Sequence, residues 1–137
     1  MTKKRVLFLC TGNSCRSQMA EGFLRYLGGD KFEAYSAGVD PTSVNPLSIK
    51  VMQEVGIDIS SQRPKPVKEF LDQQFDYIIT VCDNAKQACP VFPGRHEEIH
   101  WDLADPADAK GSEEEKLNAF REIRDKIDEN VKGFVEP

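Results

Sequence analysis

Val6-Leu7-Phe8-Leu9-Cys10-Thr11-Gly12-Asn13-Ser14-Cys15-Arg16-Ser17-Gln18 passes from an apolar run, through a loop of small residues, into the start of a helical pattern. A continuous run from Val6 to Leu9 fits a central parallel strand buried on both faces. A strand that stops abruptly before a helix leaves several backbone N–H groups directed at one spot, where the helix dipole also favours negative charge. Cys10 stands at the mouth of that loop and Arg16 at its end, so the stretch reads as an anion cradle with a nucleophile in it. Helix N-termini and nearby cations lower a cysteine pKa from about 8.5 to as little as ~3.5, which predicts a thiolate at Cys10. Arg16 can fork two N–H donors onto an oxyanion, a geometry lysine cannot reproduce. The Gly-Lys-Ser/Thr ending of a nucleotide-binding loop is absent.

Spacing alone does not decide the matter, because Cys89 is also followed by five residues and then Arg95. Pro90, Pro93 and Gly94 lie between them, and prolines remove the N–H donors a cradle needs. No strand before or helix after that segment is indicated.

Outward from the cradle, Ala20, Phe23, Leu24 and Leu27 recur at helical spacing and Gly28-Gly29 supplies a stop, which predicts a helix over 16–28. Residues 32–37 read as a second strand, ended by Gly38 and Pro41. Asn45-Pro46 opens a helix with Leu47, Val51, Met52 and Val55 on one face before Gly56. Residues 58–68 read as a surface loop before a short helix near 67–71. Residues 76–81 form a third strand that ends at Cys82, residues 83–89 a helical turn, and residues 99–101 a brief fourth strand. Ser112 with Glu115 makes a capping box for a last helix, with Leu117, Phe120, Ile123, Ile127 and Val131 as its stripe and Gly133 as its end. The alternation predicts a three-layer α/β/α fold with a four-stranded parallel sheet in the order 2-1-3-4. Right-handed crossovers then bring the Cys10 and Cys82 regions together at the carboxyl edge, where open α/β sheets bind ligands.

The 137 residues fit one domain spanning 1–137. A net charge of −5 argues against a general basic surface for nucleic acid or anionic membrane. No run reaches membrane length, and the apolar run after Lys3-Lys4-Arg5 is shorter than a signal peptide needs. Cys10, Cys15, Cys82 and Cys89 without an export signal suggest a reducing, cytoplasmic setting. Their spacings lack the close pairs of structural zinc sites, so no metal is expected.

The run from Cys10 through Glu21, the pair Cys82 and Cys89, and Trp101 through Asp105-Pro106 together resemble the low-molecular-weight protein tyrosine phosphatase family. Within it they resemble the thioredoxin-coupled arsenate reductase branch, over essentially the whole chain. The resemblance implies that Cys10 is the nucleophile, that Arg16 grips the oxyanion with the loop Thr11, Gly12, Asn13, Ser14 and Cys15, and that Ser17 hydrogen-bonds the thiolate. It also implies that Asp105 is the general acid. The chemistry asks for the same groups: a thiolate repels a dianion unless N–H donors and Arg16 offset the charge, and departing hydroxide needs a proton. Read without the family, Asp105-Pro106 is a turn former.

Reduction of arsenate to arsenite takes two electrons, which two thiols supply by becoming a disulfide. The relay implied runs from Cys10 to Cys82 and then to Cys89, leaving a Cys82–Cys89 disulfide for thioredoxin to reduce. Without the family, Cys82 and Cys89 read as inert buried cysteines. Cys15 reads as packing, and His96 and His100 as surface residues without partners. Some family members hold a monovalent cation behind the loop with residues corresponding to Asn13, Glu21 and Ser36 plus an acid near residue 65. Here that position is Lys65, whose ammonium is expected to replace potassium. Arsenate, with phosphate or sulfate as competing oxyanions, and thioredoxin are the expected partners, and a monomer is the expected state. Two rival readings are a phosphatase acting on phosphotyrosine or another phosphomonoester, and a non-catalytic thiol protein that binds arsenite or a soft metal. Weak phosphatase side activity fits either enzyme reading.

Overall fold

The computed structural model describes residues 3–81 and 92–136. Strand β1 (Lys4–Cys10) leads through the cradle into α1 (Arg16–Gly28), followed by β2 (Phe32–Gly38) and α2 (Pro46–Gln53). Then come β3 (Tyr77–Thr80), β4 (Glu97–His100) and α3 (Glu113–Val135), with short 3-10 turns at Val67–Phe70 and Pro106–Asp108. The four strands are parallel in the order β2-β1-β3-β4, as expected.

Val6, Leu7, Phe8 and Leu9 have no solvent exposure. Neighbouring strand residues point to opposite faces, so both faces of the sheet are covered at β1, which makes the three layers. Register fixes the functional edge: Cys10 pairs with Gly38 of β2, and Leu9 with Thr80 of β3. The Val81 N–H extends that edge by donating to the Leu9 carbonyl at 2.9 Å. The carboxyl end of β3 therefore lies beside the cradle, and Cys82 follows in sequence, although Cys82, Cys89 and the 83–89 turn fall outside the described residues.

Helix α2 starts as its sequence predicts, with the Asn45 side chain accepting from the Leu47 N–H and Pro46 in the first turn. Ser112 and Glu115 form the capping box of α3, and Leu117, Phe120, Ile123, Ile127 and Val131 are buried along its stripe. Each such side chain stabilises by about 1.5–3 kcal/mol of apolar burial.

Three expectations need correction. Gly133 does not end the last helix, which runs on to Val135, where Phe134 stacks on Phe32 and Tyr77 and holds the final turn against the sheet. The fourth strand is Glu97–His100 rather than 99–101, because its pairing with β3 starts at Tyr77 and Glu97. His100 is not partnerless: its Nδ1 lies 2.8 Å from the Thr80 hydroxyl, since the parallel register sets the two side by side.

Candidate active site

A cradle works only if its carbonyls turn outward, because each carbonyl facing inward would repel an anion. Six successive carbonyls are accounted for. Those of Cys10, Thr11, Gly12 and Ser14 accept from the N–H groups of Val39, Asp40, Thr42 and Asn45 at 2.9–3.2 Å, so the segment after β2 straps the loop from outside. The Asn13 carbonyl accepts from Gln18 Nε2 at 2.9 Å, and the Cys15 carbonyl from the Met19 N–H at 3.0 Å as α1 begins. With their carbonyls held out, the loop amides turn inward.

Gly38 makes this strapping possible. A Cβ there would sit 2.6 Å from the Thr11 carbonyl oxygen and 2.9 Å from the Asn13 nitrogen, so only glycine lets β2 approach so closely. On its other side the Gly38 N–H donates to the Lys65 carbonyl at 2.8 Å.

Inside the loop the Cys10 thiol is 2% exposed. Its Sγ lies 2.8 Å from the Ser17 hydroxyl and receives the Asn13 N–H at 3.1 Å. Burial pushes the Cys10 thiol above the ordinary cysteine value, against the pull of Ser17, Arg16 and the Asn13 N–H. Burial therefore works against the expected thiolate, and the Arg16 cation offsets it only in part. The Arg16 guanidinium is shared: Nη1 donates to the Leu103 carbonyl at 2.9 Å, and Nη2 lies 3.6 Å from Asp105 Oδ2. Its charge is spent partly on those groups rather than wholly on the sulfur.

Cys10, Thr11, Gly12, Ser14, Cys15, Arg16 and Asp105 line one cavity of about 250 Å³. Asp105 is half-buried at its rim, where Oδ1 caps the following turn by accepting from the Ala107 N–H at 3.0 Å. Asp105 therefore forms the turn and also lines the cavity. Cys15 is 3% exposed, and burial pushes its thiol up as well.

Asn13 was expected among the residues around the oxyanion, but its side chain faces away. It is fully buried and has a left-handed backbone (φ 49°), which turns Nδ2 toward the Ser17 hydroxyl at 2.8 Å and Oδ1 toward the Lys65 N–H at 2.8 Å. Its N–H goes to sulfur. Behind the loop, the buried Glu21 carboxylate accepts from Ser36 Oγ and from Arg25 Nη2 at 2.7 Å, and Lys65 Nζ approaches it to 3.6 Å. Lys65 Nζ also donates to the Arg63 carbonyl at 2.8 Å. Burial lowers the Lys65 pKa, partly countered by Glu21. Two cations already serve Glu21, and Asn13 Oδ1 is taken by an N–H, so these donors do not fit a monovalent cation. Among the described residues no cluster of three or more His, Cys, Asp or Glu could hold a metal ion.

Sequence reasoning missed Asp40 and Thr42, which line the same cavity from the strap. Gly38 and Pro41 signal a turn, but nothing local says that it folds over the cradle. Fully buried Gln18 and half-buried Gln62 were missed as a pair: Gln62 Nε2 donates to Gln18 Oε1 at 2.7 Å. A fully buried amide on the first turn of α1 has no sequence signature.

Residues 5–137 match the family model of the low molecular weight phosphotyrosine protein phosphatases. The arsenate reductase of Halalkalibacterium halodurans is 47% identical over 136 residues, covering 99% of this chain and 98% of that protein. A solved arsenate reductase in its phosphate-binding state superposes with a TM-score of 0.78 at 36% identity, covering 96% of each chain. The thioredoxin-dependent arsenate reductase of Corynebacterium glutamicum superposes with a TM-score of 0.76 at 30% identity, covering 96% of this chain and 60% of that one. With a cradle of this architecture and relatives matched end to end, the chain belongs to the low molecular weight phosphotyrosine protein phosphatase family, in its arsenate reductase branch.

Proposed function

We propose that this protein reduces arsenate to arsenite through Cys10, Cys82 and Cys89, with thioredoxin restoring the dithiol. The observation that carries the reading is the buried Cys10 thiol inside a loop whose carbonyls are all held outward, with Arg16 and Asp105 on the same cavity. The names of the full-length relatives support the choice of arsenate. Thioredoxin as donor is supported by the relative from Corynebacterium glutamicum.

In the first step the Cys10 thiolate bonds to arsenic and an oxygen leaves as water, taking a proton from Asp105. Inward amides and Arg16 stabilise the charge that builds on the remaining oxygens. Ser17 and the Asn13 N–H offset the burial cost of the thiolate. In the second step the Cys82 thiolate attacks the Cys10 sulfur. The sulfur–arsenic bond breaks with its electron pair on arsenic, and arsenite departs. Cys89 then attacks Cys82, freeing Cys10 and leaving a Cys82–Cys89 disulfide that holds the two oxidising equivalents. Adjacent ends of β1 and β3 support the order, because Cys82 follows the strand that pairs with β1.

The same cradle suits a phosphate ester, so weak phosphatase side activity accompanies the reading. Water would then take the place of the second thiol. The test is arsenate-dependent NADPH oxidation coupled through thioredoxin and its reductase. Wild type should turn over, whereas Cys82→Ser and Cys89→Ser should stop after at most one turnover and keep the phosphatase side activity. Normal turnover by both variants would overturn the relay.

A further inference from the structure

Five of the six cradle carbonyls are held by backbone N–H groups, and only the Asn13 carbonyl depends on a side chain, Gln18. Asn13 is also the one non-glycine residue with positive φ among the described residues. Its carbonyl belongs to the peptide that carries the Ser14 N–H. Rotation of that peptide would turn the oxygen into the cavity and the Ser14 N–H out of it, replacing an anion donor by an acceptor. Left-handed residues adjoin such alternative peptide orientations closely, so what holds this plane decides how the loop binds.

We propose that Gln18 is a positioning residue that locks the Asn13–Ser14 peptide in its anion-binding orientation. The side chain is fully buried. Nε2 donates to the Asn13 carbonyl at 2.9 Å and to the Arg63 carbonyl at 3.0 Å, which uses both of its hydrogens. Oε1 accepts from Gln62 Nε2 at 2.7 Å, and the same Nε2 reaches the Gln18 carbonyl at 3.0 Å. With Oε1 held by a donor, the amide cannot flip, and its donors stay aimed at the two carbonyls. Gln62 Oε1 is itself held by Arg25 Nη1 at 3.1 Å. The lock therefore ties the cradle to the 62–65 segment, whose Lys65 N–H fixes the Asn13 side chain.

The proposal builds on the reading of Cys10 as the reacting thiol, but its test needs only anion binding and alkylation, so it can fail while the reductase reading stands. Gln18→Met keeps length and burial while removing both donors. Gln18→Glu keeps shape but sets carboxylate oxygen against two carbonyls. Inorganic phosphate affinity is measured by calorimetry, and Cys10 alkylation by iodoacetamide is followed across pH by mass spectrometry. Both variants should bind phosphate at least about tenfold more weakly, the effect of losing a buried hydrogen bond that holds a donor in place. Their Cys10 alkylation midpoint should move to higher pH. Gln62→Leu, which frees the amide to flip but leaves its donors present, should show a smaller loss and serves if the Gln18 variants do not fold. Ile127→Val, a distant core change, should lower the melting temperature without moving either readout. Phosphate affinity and an alkylation midpoint as in wild type for folded Gln18→Met, or for Gln62→Leu where the former does not fold, would overturn the proposal.

Discussion

The front and the back of the cradle are built on opposite principles. In front, the cavity lined by Cys10, Arg16, Asp40 and Asp105 is loosely committed: Arg16 and Asp105 stand 3.6 Å apart, and Asp105 is half-buried. Behind, Asn13, Gln18, Glu21, Ser36, Gln62 and Lys65 form a closed network in which donors and acceptors are matched. A binding site needs groups whose best partner is the ligand, whereas a scaffold needs groups already satisfied. A few Å of loop separate the two, and Asn13 spans them, with its N–H on the sulfur and its side chain in the network.

The comparison predicts that changes in front cost activity and those behind cost shape. The largest effect belongs to Arg16→Lys. It should lower turnover by about a hundredfold to a thousandfold, as loss of an oriented oxyanion donor does, while leaving the melting temperature nearly unchanged. A large drop in melting temperature would show that Arg16 also serves as scaffold through Leu103. Next comes Gly38→Ala, behind the loop. A Cβ 2.6 Å from the Thr11 oxygen should destabilise by about 1–3 kcal/mol in urea unfolding and weaken phosphate binding at the same time. Loss of one without the other would break the link between scaffold and site.

Lys65→Met gives a smaller effect and tests the back on its own. Wild type should show no specific activation by potassium over sodium, because the ammonium serves Glu21 from within. The Met variant should lose a few-fold in rate and regain part of it with potassium, as a buried carboxylate left with only Arg25 of its two cations would. A large specific potassium activation of wild type would sink the idea.

The smallest effect lies away from both faces, where Glu54 at the end of α2 pairs with half-buried Arg121 and buried Arg124 of α3. Hydrogen bonds from Arg121, then Arg124, hold the Glu54 carboxyl down at about 2. A folded-state value below the unfolded one stabilises the native state above the ordinary carboxylate range, and the gain is lost as pH falls toward about 2. Glu54→Gln should therefore unfold slightly more easily than wild type at neutral pH, and the difference should vanish in acid denaturation below about pH 2.

The elements were legible wherever their signals are local. Residues 6–9 made an uninterrupted apolar run, Ser112 and Glu115 a box three residues apart, and Asn45-Pro46 a helix start, and each formed as read. Gly133 misled because a glycine stops a helix only if nothing beyond it packs, and Phe134 does. In the site, Cys10 and Arg16 were read from one loop, whereas Ser17 and Asp105 entered through the family resemblance, and the structure brings these four side chains close together. Asp40, Thr42 and Gln62 were not read, since their roles come from contacts made across 29 to 44 residues of sequence with the cradle and α1.

By itself the sequence determined the strand order, the position of the cradle at the carboxyl edge of β1 and the residue types that face an anion. These follow from periodicity, turn chemistry and the handedness of crossovers, which act over a few residues or one connection. Only the tertiary structure decided which way each peptide of the loop turns, where the Arg16 charge goes and what fills the space behind Asn13. Those depend on the exact approach of β2, α1 and the 62–65 segment, and a hydrogen bond is made or lost within a few tenths of an ångström.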